Sequence, residues 1–571
     1  MNAWIQPKHS TLLFLIVSVC LALLPVQAVV PPPGGGYPNF NTAEGQNALF
    51  SLTSGAANTA VGWLSLRALA TGQFNTGVGA GTLALNTADQ NTATGAGALL
   101  SNTTGGPNTA NGAFALFSNT TGTNNNAFGF EALFSNTTGP FNNAFGNGAL
   151  VSNTTGDRNT AMGEGALLAN TTGFQNIGIG VSALRNNVTG HNNIAIGQDA
   201  CSQSQGGQFN TAVGADTLVF NTGNYNTAIG ESALSSNTAS SNTAVGDAAL
   251  LENTTGGTPG GTGTTEVGPN TAVGSAALFS NTTGGANVAA GYEALGSIQT
   301  NNFSTAVGFK ALVNSTAGNN EALGYKALAN NVTGEFNTAI GRAALFNNIG
   351  GGQNVALGSA AGANATGGNN IYIGSGIQGF AGESNACYIG SIFGQTAVDG
   401  IPVLVNSANK LGTTTSSKRF KEDIKPMDKI SEALYALKPV SFRYKKEIDA
   451  NSAQQLGLVA EDVEKVSPNL VIRDTKGKPF TVRYDQVNAM LLNEFLKEHK
   501  AFVEEQRKVQ KQDTTIARLE HQIEALTAGL QKVSAQLAAA SPSEGGLELS
   551  QSAPQMVCLP AVVLRESGNA R

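Results

Sequence analysis

The residue types able to do covalent chemistry crowd into one short stretch, Ser416-Ser417-Lys418-Arg419-Phe420-Lys421. A serine hydroxyl is a weak nucleophile until a base takes its proton. A lysine can be that base only when burial or neighbouring positive charge pulls its pKa down. Lys418 and Arg419 place such charge beside the serines. Ser417 and Lys421 stand four apart, the spacing of one helical face, whereas Ser416 and Lys421 stand five apart and need a turn or extended segment to meet. Composition alone also allows a basic solvated loop with incidental serines, so the surroundings must decide. Other chemistries have less to work with. His9, His191, His499 and His521 are too dispersed for a metal site. No G-x-x-x-x-G-K-[S/T] phosphate loop occurs. Acids such as Glu131, Glu164 and Glu231 are scattered, not paired across a groove as a carbohydrate-cleaving enzyme needs. No cofactor and no metal is expected.

The elements that must position this stretch begin with a change of composition. The chain has 571 residues, 71 of them glycine, with 12 % charged residues, too long for one core and too glycine-rich for an average enzyme. Of the 31 Lys and Arg, one lies in residues 1–28, six in 29–400 and 24 from Ile401 onward, which marks a domain boundary near residue 400. A net charge of −6 with no basic stripe among aromatics argues against nucleic acid as a partner. At the N-terminus, Lys8, the apolar run Leu12 to Leu24, and Pro25-Val26-Gln27-Ala28 follow the plan of a secretory signal. A secreted or cell-surface location is expected, with no transmembrane segment once the signal is removed; Val19 before Cys20 is too bulky for a lipoprotein signal. Cys201, Cys387 and Cys558 form no framework and read as isolated buried thiols.

From Asn58 a pattern close to N-T-A-(V/I/F)-G-x-x-A-L-x-x-N-T-T-G recurs. Its glycine returns every 16 or 17 residues from Gly62 to Gly246 and from Gly274 to Gly374. The single 28-residue step between those runs reads as a loop, Gly256 to Gly268, extruded from one coil. A fixed period of this length predicts stacked β-coils, each of two short strands and two turns. Thr59-Ala60-Val61 and its copies suit a narrow interior of Ala and Val. The repeated Asn should stack on itself from coil to coil as an amide ladder. The recurring Asn-x-Thr, as in Asn102-Thr103-Thr104, matches the glycosylation sequon, but its constant phase makes it turn chemistry. The repeat resembles the head of trimeric autotransporter adhesins, over about Asn58 to Gly390, which implies a left-handed parallel β-roll in a trimer. Cell-surface or carbohydrate ligands are the outside partners that rows of Ser, Thr and Asn could serve. Nothing after Gly400 has the strand alternation of those adhesins' membrane anchor.

After the repeats come Leu437-Lys438-Pro439-Val440-Ser441-Phe442-Arg443-Tyr444, Leu456-Gly457-Leu458-Val459-Ala460-Glu461-Asp462-Val463 and Val482-Arg483-Tyr484-Asp485-Gln486-Val487. With the serine–lysine stretch, this ordered set resembles the C-terminal intramolecular chaperone of endosialidases and other phage tailspikes, a serine-peptidase family. The resemblance covers about residues 414 to 500. It implies a homotrimer whose chains are cut once, intramolecularly, after assembly. Carried over, Ser416 is the nucleophile, Lys421 the base and Thr415-Ser416 the scissile bond, with Ser417 and Lys421 as the fallback pair. The family's usual Asp after the nucleophile is here Ser417.

Heptads follow. Phe495, Phe502, Val509, Ile516, Ile523, Leu530 and Leu537 recur every seven residues, joined from Leu519 by Leu526 and Val533, while Glu498, Glu505 and Gln512 are polar. This predicts a coiled coil whose composition suits dimers as well as trimers. The expected layout is therefore mainly β. It comprises a signal peptide (1–28), a linker (29–57), a β-solenoid (58–400), a linker (401–413), a small α+β chaperone domain (414–494), a coiled coil (495–540) and a flexible tail (541–571). Two functions are in play: a fibre that cuts itself before Ser416, and a structural fibre held by a permanent trimer clamp.

Overall fold

The computed structural model describes residues 37–256, 267–406, 408–449 and 451–540. The expected signal peptide, the C-terminal tail, and most of the extruded loop lie outside these residues. Two compact units are present, residues 1–396 and 397–571.

The first unit is a β-solenoid. Three-residue strands, from β1 (Thr42–Glu44) to β21 (Cys387–Ile389), form one 21-stranded parallel sheet. Register is strict: Thr42, Ala43 and Glu44 lie opposite Thr59, Ala60 and Val61. At ~4.8 Å per rung this is a stack about 100 Å long. The stack begins earlier than the repeat pattern suggested. β1 falls inside the segment expected as linker, because Asn41 and Ala43 already supply the ladder amide and the small core residue.

Each coil carries one strand, not two. The opposite side is a run of turns in which the Leu of each A-L pair holds a left-handed backbone, φ 49° to 57°. Leu rarely accepts such a φ. Here its side chain is fully buried in coil after coil, Leu66, Leu99 and Leu133 among them, and burial of a leucine contributes about 1.5–3 kcal/mol. Its amide is also paired across coils, as from Leu116 to the Ala132 carbonyl at 2.9 Å. The interior is therefore Ala and Leu, not Ala and Val. Ala60 is enclosed while Val61 is 37 % exposed, since successive strand residues face opposite ways.

The asparagine ladder exists, and there are two. In one, Asn58 donates its backbone N–H and its side-chain amide to Asn41 Oδ1, at 2.9 and 3.0 Å. In the other, Asn119 Nδ2 donates to Asn102 Oδ1 at 2.6 Å and to the Gly122 carbonyl at 3.0 Å. Asn102 is fully buried, so the sequon's asparagine serves the interior. The repeat glycine needs both of its freedoms: Gly129 has φ 138°, and a Cβ there would sit 2.4 Å from the Gly146 carbonyl oxygen. The glycine of Thr-Thr-Gly has no left-handed φ; Gly139 is required because a Cβ would meet the Gly156 oxygen at 2.3 Å.

At the far end the core composition is exchanged. Tyr372 replaces the buried alanine, and Gly362 stands where other coils place Leu. Cys201 is buried, which pushes its thiol up to about 12. Cys387 is exposed, contrary to expectation, because it opens β21 at an outward strand position.

The second unit opens with an antiparallel hairpin, β22 (Val403–Val405) and β23 (Leu411–Thr413), within the segment expected as linker. Asn406 makes the turn, its Oδ1 accepting the Ala408 and Lys410 amides at 3.0 and 2.9 Å. Two further hairpins follow, β24 (Val440–Arg443) with β25 (Gln454–Gly457), and β26 (Val471–Arg473) with β27 (Pro479–Val482). Helix α1 (Ala460–Val466) lies between them, and helix α2 (Tyr484–Ala539) closes the described chain. The core gathers Val463, Leu470, Val471, Val482, Val487 and Met490. The boundary expected at 494/495 is no interruption, since one helix runs from the domain core through the heptads. Among the described residues no helix is long and apolar enough to cross a membrane.

Candidate functional site

The serine–lysine stretch follows β23. Ser417 is extended (φ −64°, ψ 139°), residues Lys418–Phe420 make one 3-10 turn, and Lys421 is extended again. The turn is closed by the Phe420 amide on the Ser417 carbonyl at 3.0 Å and the Lys421 amide on the Lys418 carbonyl at 3.2 Å. This local path folds the five-residue spacing back on itself. Lys421 Nζ donates to Ser416 Oγ at 3.1 Å. No hydrogen bond joins Lys421 to Ser417 among the described residues, so the turn favours the first pairing over the fallback. Arg419 lays its guanidinium over the Phe420 ring, 4.6 Å from the centroid, an arrangement that holds a cation near the turn. Ser416 and Lys421 are both exposed, as is Thr415. Contact of this kind places an amine within hydrogen-bond reach of a hydroxyl next to the Thr415-Ser416 bond.

The sequence motifs around the turn are packing devices. Tyr484, first residue of α2, receives the Leu458 amide on its hydroxyl at 3.0 Å. That approach requires Gly457, where a Cβ would lie 3.0 Å from the Tyr484 oxygen and 3.2 Å from the Phe442 ring. Three of the motifs therefore meet at one point, between β24, β25 and the start of α2. Thr414 lines a shallow groove with Leu404, Lys410, Ile472 and Arg483.

One polar cluster escaped sequence reasoning. Glu494 is enclosed on α2, accepting from Ser431, from Tyr435 Oη at 3.0 Å and from Lys497 Nζ at 2.7 Å. Asn493 Nδ2 also donates to Ser431 Oγ at 2.6 Å, and Lys497 reaches the Asp428 carbonyl at 2.7 Å. The hydrogen bonds from Lys497 and then Ser431 hold the Glu494 carboxyl below its ordinary range. The same carboxylate, accepting the Tyr435 hydroxyl, pushes that phenol up to about 12. The cluster ties the helix to the segment Asp428–Ala436. A signal was available: Val487, Met490 and Glu494 fall on one helical face, so an acid continues an apolar stripe.

Among the described residues, no group of three or more His, Cys, Asp and Glu side chains is placed to hold a metal ion. Compared with known proteins, the chain matches no curated protein and no solved structure. A family model does match, over residues 416–472, from the candidate nucleophile through β26. Residues 416–472, in the C-terminal unit and after the long β-solenoid in sequence, are thus similar to the family described as the chaperone of endosialidase.

Proposed function

We propose that this protein is an exported trimeric fibre whose C-terminal unit brings three chains together and then cuts each of them before Ser416. The observation that carries the assembly half is the bare helix. Ile516, Ile523, Leu526 and Leu530 are 52–70 % exposed on a helix of 56 residues, a row of apolar side chains that only other helices would cover. A chaperone-of-endosialidase match beside it supports three as the number. The unit supplies registry: near-identical coils can pair out of step, and a non-repetitive end fixes the phase. The outward strand row, including Val61, Ile229, Ile340 and Ile373, is a second apolar face suited to neighbours in such a fibre. For the cut, support comes from the Lys421–Ser416 contact.

A second reading, a permanent trimer clamp without a cut, is favoured by one observation: Lys421 is exposed in the single chain, not desolvated as an activated lysine base is. Intact mass and sedimentation of the purified full chain separate the two. A trimer with a new N-terminus at Ser416, lost in Ser416→Ala, is the expected result. An uncut trimer establishes the clamp, and a monomer at high concentration removes both.

A further inference from the structure

One corner of the solenoid, just after the repeat glycine, has a charge order that the repeat does not require. Backbone hydrogen bonds run unbroken along it, from the Asp216 amide to Gln198, Ala248 to Glu231, Ala276 to Asp247, Glu293 to Ser275, Lys310 to Tyr292, and Lys326 to Phe309, at 2.8 to 3.0 Å. The donating amides are the second residue after the glycine and the accepting carbonyls the first, so the charged side chains line two adjacent columns of this corner along the axis. Toward the N-terminus the corner holds half-buried Asp199 and then exposed Asp216, Glu231 and Asp247 in four successive coils. Toward the C-terminus it holds Lys310, Lys326 and Arg342 in three successive coils, half of the six Lys and Arg between residues 29 and 400. Between the two blocks lie Ser275-Ala276 and Glu293, whose carboxylate already pairs with Lys310 at 3.0 Å.

The basic block is also held in place. Tyr292, Phe309 and Tyr325 stack at 5.4 Å between centroids. Lys310 lies 5.7 and 5.6 Å from the first two rings, and Lys326 lies 5.4 Å from the third. Aromatic support of this kind fixes the long lysine stems along the ridge.

We propose that this corner is a docking surface for a second copy of the chain, laid antiparallel about a two-fold axis between the coils of Ser275 and Glu293. In that alignment Lys310 faces Asp247, Lys326 faces Glu231 and Arg342 faces Asp216, and the symmetry makes each pairing twice. Glu293 then faces neutral Ser275. The patch is self-complementary, the property a two-fold interface demands. Parallel, in-register copies would instead set every charge against its own kind. Copies within one parallel trimer therefore leave this ridge free, and the pairing joins one fibre to another. The surface is independent of the Ser416 chemistry.

The test uses the full chain in two charge-reversed forms. One carries Lys310→Glu, Lys326→Glu and Arg342→Glu; the other carries Asp216→Lys, Glu231→Lys and Asp247→Lys. Light scattering of the wild type is expected to show association that weakens roughly tenfold or more between low salt and about 0.5 M salt, as exposed charges become screened. Each reversed form alone is expected to lose that association while keeping its circular dichroism spectrum. Mixed, the two forms are expected to associate again, because both blocks of one ridge are then acidic and both blocks of the other basic. Wild type without salt-sensitive association, or a mixture that stays apart while both variants remain folded, overturns the proposal.

Discussion

Lys421 donates to Ser416 Oγ at 3.1 Å, although the two are five residues apart and neither is buried. A single 3-10 turn makes the meeting, and the turn is basic: Lys418 and Arg419 both belong to it. Charge is therefore supplied locally, within the turn itself.

The first prediction separates base from charge. Arginine keeps the positive charge and most of the stem but does not give up its proton at accessible pH. In Lys421→Arg the trimer is expected to form and the chain to stay intact by mass, whereas Ser417→Ala is expected to assemble and cut as the wild type does. If Lys421→Arg still yields a fragment beginning at Ser416, lysine is not the base.

The second concerns the amide ladder. Asn136 Nδ2 donates to Asn119 Oδ1 at 2.8 Å and to the Gly139 carbonyl at 3.0 Å, while its own Oδ1 accepts from Asn153 at 2.8 Å. Asn136→Ala leaves the buried Asn119 Oδ1 without a donor, at about 1–3 kcal/mol for such a group, while the Gly139 carbonyl keeps Asn125 and Asn153 Nδ2 keeps the Gly156 carbonyl. Because each coil touches only its neighbours, the expected loss of hydrogen-exchange protection centres on the coils of Asn119 and Asn153. Uniform loss along the stack would contradict nearest-neighbour stabilisation.

How much of this was readable beforehand depends on which interaction ruled each position. Strand phase and the ladder were legible because a fixed period forces identical residues into register: Ala60 and Asn58 recur where Ala43 and Asn41 stand. The turn side was not, since Leu116 or Leu133 in a left-handed backbone contradicts local preference and is secured only by stacking. Val61 pointing outward was misread because its apolarity suggested an interior, whereas alternation about Ala60 decides. In the site, the motifs pointed to the region that the family model matches, but the 3-10 turn that brings Lys421 to Ser416 comes from backbone geometry at Lys418–Phe420. Glu494 went unremarked because its partners Ser431 and Tyr435 lie about 60 residues away in sequence.

The third prediction follows from that cluster. The folded pKa of Glu494 is below the ordinary carboxyl value of 4.5. Its contribution to docking of α2 is therefore fully present above about pH 4.5, and is lost as pH falls through the lower folded value. Tyr435 works in the opposite direction. Its pKa rises from 10 to about 12, so its contribution is present below pH 10 and fades as pH rises toward about 12. Melting temperatures of wild type and Glu494→Gln are expected to differ most at neutral pH and to converge as pH falls through the lowered folded value. Parallel curves from pH 7 to pH 3 would exclude Glu494 as the titrating anchor.

The last prediction tests how the stack is closed. Tyr372 is fully buried where other coils bury alanine, and Gly362 stands where they bury leucine. A Cβ on Gly362 would lie 2.6 Å from Tyr372 Cδ2, and one on Gly379 would lie 2.7 Å from Tyr372 Cε1. The tyrosine ring thus fills the volume that a leucine takes elsewhere, and stacks on Tyr388 at 5.7 Å. Tyr372→Ala should open a cavity and cost roughly 3–5 kcal/mol by analogy with other large aromatic deletions. Gly362→Leu should clash by itself. The φ of Gly362, 61°, is close to the 51° that Leu345 adopts one coil earlier, so the backbone can accept a leucine once the ring is gone. Gly362→Leu combined with Tyr372→Ala rebuilds the Ala–Leu pair of the interior, and a double-mutant cycle from thermal or denaturant unfolding is expected to return a favourable coupling of about 1–3 kcal/mol. Additive losses would mean that the tyrosine is held by the chain beyond it and does not substitute for the missing leucine.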